Sequence, residues 1–336
     1  MRILSGPKLA VKVSEAGGLG FIGPGAKPEQ LEGTLQEAKQ ILQDSSSRLK
    51  AHRNDALPIG VGIQTWAGDL AVAKEALKKT PVAAVWLFAP RHGQAELDEW
   101  SKVIREVTPG THIWIQVASV KDAVAAAISS HRPDVLVIQG SDAGGHSLKR
   151  GAGIITLLPE TADALETILG PGEVAKIPLI AAGGISDARG AAATLALGAS
   201  GITLGTRLLA THEAAINPGY VAHILAASDG GQSTVRTQMY NHLRGTMDWP
   251  EAYDARGLSN ASWRDHEAGM ELEENRRLHD EAMKKGAEAW GEEKGRTATY
   301  AGTGVGLIKE VNSAGEVVEE MRNGIGEVLE CAHALT

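Results

Sequence analysis

Short apolar runs alternate with amphipathic stretches from residue 19 to about residue 226 of the chain. The apolar runs predict seven β-strands, at 19–22, 58–64, 83–88, 112–117, 135–138, 177–182 and 201–204. The amphipathic stretches predict helices at 28–42, 70–79, 95–107, 121–130, 159–169 and 187–197. Strands that alternate with helices of this length indicate repeated βα units and a parallel sheet.

The chain begins without the strand that would open a complete series of βα repeats. An amphipathic helix at 8–16 comes first, and only Ile3 and Leu4 stand where a preceding strand would end. We therefore expect an α/β fold, a (β/α)8 TIM barrel whose first strand is missing or truncated, with a mostly helical C-terminal appendage. Either the natural protein starts upstream or this product is truncated, and an unclosed barrel would expose two strand edges.

The sequence becomes mostly polar after residue 227. A charged run at 271–285 has the spacing of a solvated helix with surface ion pairs, and the segment YAGTGVGLI at 300–308 precedes a last amphipathic helix at 314–332. We expect a barrel at 1–227, a polar, mostly helical covering segment at 228–313 whose glycines return it to the barrel mouth, and a C-terminal helix at 314–336.

Composition narrows the class of function. A formal net charge of -8 argues against a nucleic-acid partner and favours a small-molecule substrate. The single cysteine, Cys331, excludes an internal disulfide, and no His or Cys spacing predicts a metal site. No apolar run reaches the length of a membrane span, so we expect a protein of the cytoplasm. The glycines at 16–25 lie between a helix and a strand, the reverse of a dinucleotide-binding fingerprint.

Glycines follow the last two predicted strands, in AAGGISDARG (181–190) and GTRLLAT (205–211). Bare backbone N–H groups at the carboxyl ends of strands can approach a phosphate, and barrels bind phosphate after strands seven and eight. We expect Gly183, Gly184, Gly205 and Thr206 to hold a phosphate, with the Thr206 hydroxyl as a further donor. The alternative is that these glycines only permit tight turns.

A histidine ends the run VLVIQGSDAGGH (135–146), in which a buried strand leads directly into glycine and polar residues. Residues at the carboxyl ends of barrel strands carry the chemistry, and imidazole is a natural general base near neutral pH. We predict that His146 is the catalytic base, and that Asp142 tunes it or binds the cofactor. A loop histidine without this position would be structural or solvated.

Other polar residues are weaker candidates. Gln64 and Gln116 end strands and can bond the polar edge of a flavin ring, or simply cap their loops. His92 follows a strand and is expected to line the substrate pocket, whereas His112 and His131 precede strands and belong to the opposite face.

Taken in order, these motifs resemble the nitronate monooxygenase family, formerly called 2-nitropropane dioxygenases. The resemblance runs from the first residue to about Ala332 and rests on five segments: SEAGGLGFIGPG (14–25), QGSDAGGH (139–146), AAGGISDARG, GTRLLAT and AGTGVGLI (301–308). It implies FMN at the barrel mouth, contacted by the loop residues Asp142, Ala143 and Gly144. Family members begin with a strand ending in Pro-Met, and Met1 falls at that methionine, a further cofactor contact. His146 corresponds to the family's base.

The resemblance implies oxidation of alkyl nitronates, and in some members neutral nitroalkanes, by flavin and O2 to carbonyl compounds and nitrite. A homodimer is compatible with the sequence. An NAD(P)H-dependent enoyl-thioester or quinone reductase on the same barrel, and a truncated inactive homologue, stay open as alternatives.

Overall fold

A curled sheet of parallel strands forms the centre of the molecule. The structure is a computed structural model that describes residues 4–23, 28–44, 49, 56–173 and 176–334. Neighbouring strands pair in parallel in the order β1-β2-β3-β4-β5-β7-β8, which confirms a TIM-barrel-like α/β fold. The strands are β1 (Phe21–Ile22), β2 (Leu57–Gln64), β3 (Val82–Phe88), β4 (His112–Val117), β5 (Val135–Gln139), β6 (Gly145–Leu148, outside this sheet), β7 (Leu179–Ala182) and β8 (Gly201–Thr203).

Helices connect these strands as parallel pairing requires. They are α1 (Pro7–Glu15), α2 (Leu31–Asp44), α3 (Leu70–Lys79), α4 (Gln94–Val107), α5 (Val120–Ile128), α6 (Ile154–Leu169), α7 (Ala188–Ala196) and α8 (Thr206–Leu209). Helix α6 begins five residues before the predicted start at Pro159, which lies inside it. The prediction was wrong there because it took proline as the first helical residue. Among the described residues, no helix is both long and apolar enough to cross a membrane.

Alternate residues of each strand face opposite sides of the sheet. Val85 and Ile113 belong to the main core under the helices, whereas their neighbours Trp86 and Trp114 cluster with Phe21 inside the barrel. The Phe21 ring centroid lies 5.1 Å from each of these tryptophan rings. Aromatic rings thus fill the interior of the barrel at this level of the strands.

The sheet is not closed by a β1–β8 ladder in the described part of the chain. Leu4 and Ser5 lie in this gap: Gly23 N donates to Ser5 O at 2.9 Å, and Ala215 N donates to Leu4 O at 3.1 Å. The segment therefore connects the carboxyl end of β1 to the chain that follows β8. Ile3, named with Leu4 as a strand remnant, lies outside the described residues.

A second, antiparallel sheet stands beside the barrel mouth. Its strands are ordered β6-β10-β9, with β9 at Thr234–Thr237 and β10 at Tyr253–Leu258. The sequence predicted mostly helix for this part of the chain. These strands escaped prediction because they are only four to six residues long and contain few apolar residues.

The remaining helices cover the small sheet and the barrel edge. They are α9 (Pro218–Ala226), α10 (Gly230–Ser233), α11 (Met239–Leu243), α12 (Ala261–Glu267), α13 (Leu272–Met283) and α14 (Ala314–His333). Helix α14 begins at Ser313, which forms a capping box with Glu316, and it packs against α7 and α1.

The segment before α14 returns to the barrel mouth. Thr303 N donates to Asp142 O at 3.0 Å, and Gly302 N donates to Thr206 Oγ1 at 3.0 Å. A Cβ on Gly302 would lie 2.5 Å from Asp142 O, and one on Gly144 would lie 2.5 Å from Ala301 C. Only glycine permits this backbone contact.

His223 in α9 makes the stability of the fold pH-dependent. The side chain is 4 % exposed, its Nδ1 lies 2.9 Å from Thr299 Oγ1, and burial lowers its pKa from 6.5 to about 4. Because the unfolded chain binds the proton more tightly, stability is fully present above pH 6.5 and decreases as the pH falls towards 4. We expect this histidine to account for a loss of about 3 kcal/mol in the free energy of unfolding across that range.

Urea denaturation of wild type and of His223→Leu at several pH values measures the effect. The variant should lose less stability than wild type between pH 6.5 and 4. The exposed His212, changed to glutamine, serves as control and should keep the wild-type slope. Equal slopes in wild type and His223→Leu would contradict the assignment.

Candidate active site

Three glutamines form a band of amides inside the barrel mouth. Gln64, Gln116 and Gln139 end β2, β4 and β5, and each is less than 9 % exposed. Gln116 and Gln139 stand two residues beyond the inward-facing Trp114 and Val137, so strand alternation directs them inward. Gln116 Oε1 accepts from Trp86 Nε1 at 3.1 Å, and the buried Gln139 Oε1 has no partner in the described residues.

Two arginines hold the loop between β5 and β6. Arg236 of β9 donates to the backbone oxygens of Ser141 (3.0 Å) and Ala143 (3.1 Å), and Arg256 of β10 donates to Ser141 O (3.2 Å). Burial is the first cause that lowers the pKa of Arg236, to about 10, and the neighbouring Arg256 lowers it further. Both guanidinium groups stay charged at neutral pH, and the nearby Asp142 carboxylate opposes the lowering of the pKa in both.

His146 lies on β6, opposite Ala255 of β10, and is fixed by three contacts. Its Nε2 lies 2.9 Å from Oδ1 of the buried Asn241. Its ring stacks on Trp249 with centroids 3.6 Å apart and planes 4° apart, and the Tyr300 centroid lies 5.6 Å away. The imidazole is therefore held in position and in plane before any substrate arrives.

Asn241 also selects the protonation site of the imidazole. Its Oδ1 is within 3.4 Å of Tyr300 Oη, and Arg244 Nη1 donates to the same hydroxyl at 3.3 Å. With Tyr300 Oη and His146 Nε2 both donating to Oδ1, the neutral imidazole carries its proton on Nε2 and its lone pair on Nδ1.

Backbone links His146 to the barrel mouth. Gln139 Nε2 donates to His146 O at 3.3 Å, and Gly140 N donates to Ala182 O at 2.9 Å at the end of β7. The strand that carries His146 is thus attached to the end of β5 at the barrel mouth.

The predicted phosphate residues lie at the ends of β7 and β8. Gly183 and Gly184 have φ angles of +103° and +77°, which favour glycine, and Gly183 lies against Gly140 and Ala143. Gly205 is exposed, and a Cβ built there would meet nothing within 4 Å. The backbone is therefore open at Gly205, after β8, and an anion could approach it there, whereas Gly183 and Gly184, after β7, are packed against the 140–143 loop.

The other predicted residues are distributed as follows. Asp142 Oδ1 accepts from Thr303 Oγ1 at 2.9 Å, so this carboxylate joins the loop to the returning C-terminal segment. Ala143 is buried and Gly144 packs on the Ala301 backbone. His92 is exposed on the loop after β3, and its backbone N donates to Glu96 Oε2. Met1 lies outside the described residues.

Several neighbours of His146 were not found from the sequence. Asn241, Trp249 and Tyr300 stand about a hundred or more positions from it along the chain, and no local pattern joins them to it. Gln139 had a usable signal, since it stands in the quoted motif two residues beyond an inward-facing valine.

Known proteins resemble this chain over most of its length. The sequence profile of the family described as nitronate monooxygenase matches residues 92–324. Nitronate monooxygenase npaC of Metarhizium robertsii is 53 % identical over 98 % of this chain and 90 % of its own length. The nitronate monooxygenase of Neurospora crassa is 35 % identical over 96 % of this chain and 86 % of its own length.

Solved structures share the fold. FabK of Thermotoga maritima superposes with a TM-score of 0.72 at 27 % identity, covering 99 % of this chain and 92 % of its own. A nitroalkane oxidase of Streptomyces ansochromogenes gives a TM-score of 0.70 at 24 % identity, covering 99 % and 94 % of the two chains.

Proposed function

This chain belongs to the nitronate monooxygenase family, and we propose that it is a flavin enzyme that oxidises alkyl nitronates with dioxygen to carbonyl compounds and nitrite. The observation that carries the proposal is the connection of His146 to the barrel mouth through Gln139. A base and a band of inward amides in one site suit a reaction in which a small nitro compound is deprotonated and oxidised in place.

The residues at the mouth fit FMN as the flavin. The orphaned buried oxygen of Gln139 is an acceptor suited to an N–H of the flavin ring, and Gln64 and Gln116 supply further amides. The glycines Gly183, Gly184 and Gly205 at the ends of β7 and β8 would hold its single phosphate, with open backbone at Gly205 and the Thr206 hydroxyl beside it. When bound, the flavin supplies the electron transfer from substrate to oxygen.

The protein's own residues act on the substrate. A nitronate is already deprotonated and needs no base. A neutral nitroalkane first loses its α-proton, which His146 takes at Nδ1 while Asn241 holds Nε2. The resulting imidazolium lies face to face with Trp249, whose ring stabilises a cation.

A visible spectrum and an anaerobic titration test the proposal. Purified protein should show flavin absorbance, and the released flavin should co-chromatograph with FMN rather than FAD. Propionate 3-nitronate added without oxygen should bleach the flavin, whereas NADH and NADPH should not. Bleaching by NADH or NADPH and not by the nitronate would instead favour an NAD(P)H-dependent reductase on the same barrel.

A further inference from the structure

A cavity of about 460 Å³ lies among α9, α11 and α13, next to Leu4 at the open edge of the barrel. Tyr220, Leu243, Met283 and Trp290 give it apolar walls. Its polar lining is rich in hydrogen-bond donors, which is the property that distinguishes it from an ordinary packing gap.

Two buried polar atoms in the lining are left without a partner in the described part of the chain, one of them an acceptor on His279 and the other a donor on Trp290. His279 is 6 % exposed; its Nδ1 lies 3.0 Å from Asp280 Oδ1, while the buried Nε2 has no partner among the described residues. The buried Nε1–H of Trp290 likewise has none. Buried polar atoms are rarely left unpaired in proteins, so a ligand or water is expected to satisfy them.

Two guanidinium groups give the cavity a positive charge. Arg244 and Arg276 line it, and within the described residues no carboxylate lies within ion-pairing distance of Arg276. The carboxylate of Asp280, which is largely exposed, opposes them, so the lining residues include two guanidinium groups and one carboxylate.

Helix α13 directs these side chains to one side. Arg276 and His279 are three residues apart and share the face that lines the cavity. The next residue, Arg277, is instead paired with Glu274 and Glu281 on the outer face. Arg276 thus presents a guanidinium without an ion pair in the described residues to a cavity that has apolar walls, whereas Arg277 is already paired. Such a cavity suits an organic anion.

The cavity is distinct from the proposed active site. None of the residues that contact His146, namely Asn241, Trp249 and Tyr300, lines it. Arg244 is the point of contact between the two, because its Nη1 donates to Tyr300 Oη and its guanidinium lies over the Tyr300 ring.

We propose that this cavity is a binding site for a small organic carboxylate with an apolar tail, separate from the nitronate site. The carboxylate binds the guanidinium of Arg276, and the tail lies against Met283 and Trp290. The assignment does not depend on the proposed oxidation, since it concerns different residues.

Calorimetric titration of the flavin-loaded protein with hexanoate tests the site, with hexanol and inorganic phosphate as probes that lack the charge or the tail. Hexanoate should bind more tightly than either. Arg276→Gln should weaken hexanoate binding at least about tenfold, as expected for loss of a charge-assisted hydrogen bond. The matched control Arg277→Gln, one residue along the same helix, should keep the wild-type affinity, and melting curves check that both variants fold.

Four results would overturn the proposal. Equal binding of hexanol would make the cavity an uncharged apolar groove, and tighter binding of phosphate would exclude the carboxylate assignment. If propionate 3-nitronate displaces hexanoate, and hexanoate in turn competes with the reduction of the flavin by the nitronate, the cavity is part of the substrate site. Unchanged affinity in Arg276→Gln would equally contradict the role of that guanidinium.

Discussion

Replacing His146 with glutamine is expected to lower kcat/KM for neutral nitroalkanes by roughly 10²- to 10⁴-fold, the range typical of a lost general base. Glutamine keeps a polar side chain beside Asn241 but cannot accept a proton from carbon. Activity on preformed nitronates, which carry no α-proton to remove, should be largely retained. Initial rates with nitroethane and ethylnitronate, compared at equal flavin content, measure the separation.

Asn241→Leu provides the companion variant, because it leaves the imidazole in place and removes the acceptor 2.9 Å from Nε2. We expect a smaller loss than in His146→Gln, again confined to neutral nitroalkanes, and a changed pH profile for that substrate since the tautomer is no longer fixed. An equal loss on nitroalkane and nitronate in His146→Gln would contradict the general-base role and assign the histidine to binding.

The fold was predictable because its signals are local. Each barrel strand is an apolar run of a few residues, and the intervening helices show their period within a single stretch. The strand that carries His146 was not predictable in this way. It pairs with Tyr253–Leu258, in which Asp254 and Arg256 alternate with a tyrosine, an alanine and a glycine, so that the strand shows little apolar signal. That arginine bonds a loop carbonyl, so the sheet is stabilised by contacts that hydrophobic periodicity does not report.

The candidate site likewise contains some residues that local sequence signals indicate and others that only the folded chain brings together. The structure places Gln64, Gln116 and the glycines at or next to the carboxyl ends of parallel strands, as strand order predicts, while the roles assigned to them and to His146 stay predictions. Asn241 and Trp249 come from segments with no chemical motif, and only the folded chain brings them to the imidazole. What the sequence could not supply is therefore the set of contacts that orients the histidine and selects its tautomer.

Replacing Gly205 with leucine is expected to remove the flavin while leaving the fold intact. The residue is exposed at the end of β8, its φ is -110°, and a Cβ there would meet nothing within 4 Å, so the protein itself has room for the side chain. A phosphate at the open backbone would not have that room. Loss of one or more hydrogen bonds to a charged group corresponds to about 1.5–3 kcal/mol, or roughly a 10- to 150-fold weaker flavin affinity.

Gly33→Leu is the matched control. A Cβ at Gly33 would also meet nothing within 4 Å, and Gly33 lies on helix α2 rather than at the end of a barrel strand. Flavin content after purification, flavin affinity by fluorescence quenching and the melting temperature of the flavin-free protein separate the two cases. If Gly205→Leu binds FMN as tightly as Gly33→Leu, the phosphate does not approach the end of β8. If both variants lose the flavin and melt early, the fold rather than the contact is affected. Loss of FMN in Gly205→Leu alone, with an unchanged melt, would locate the phosphate at the strand ends where open glycine backbone is found.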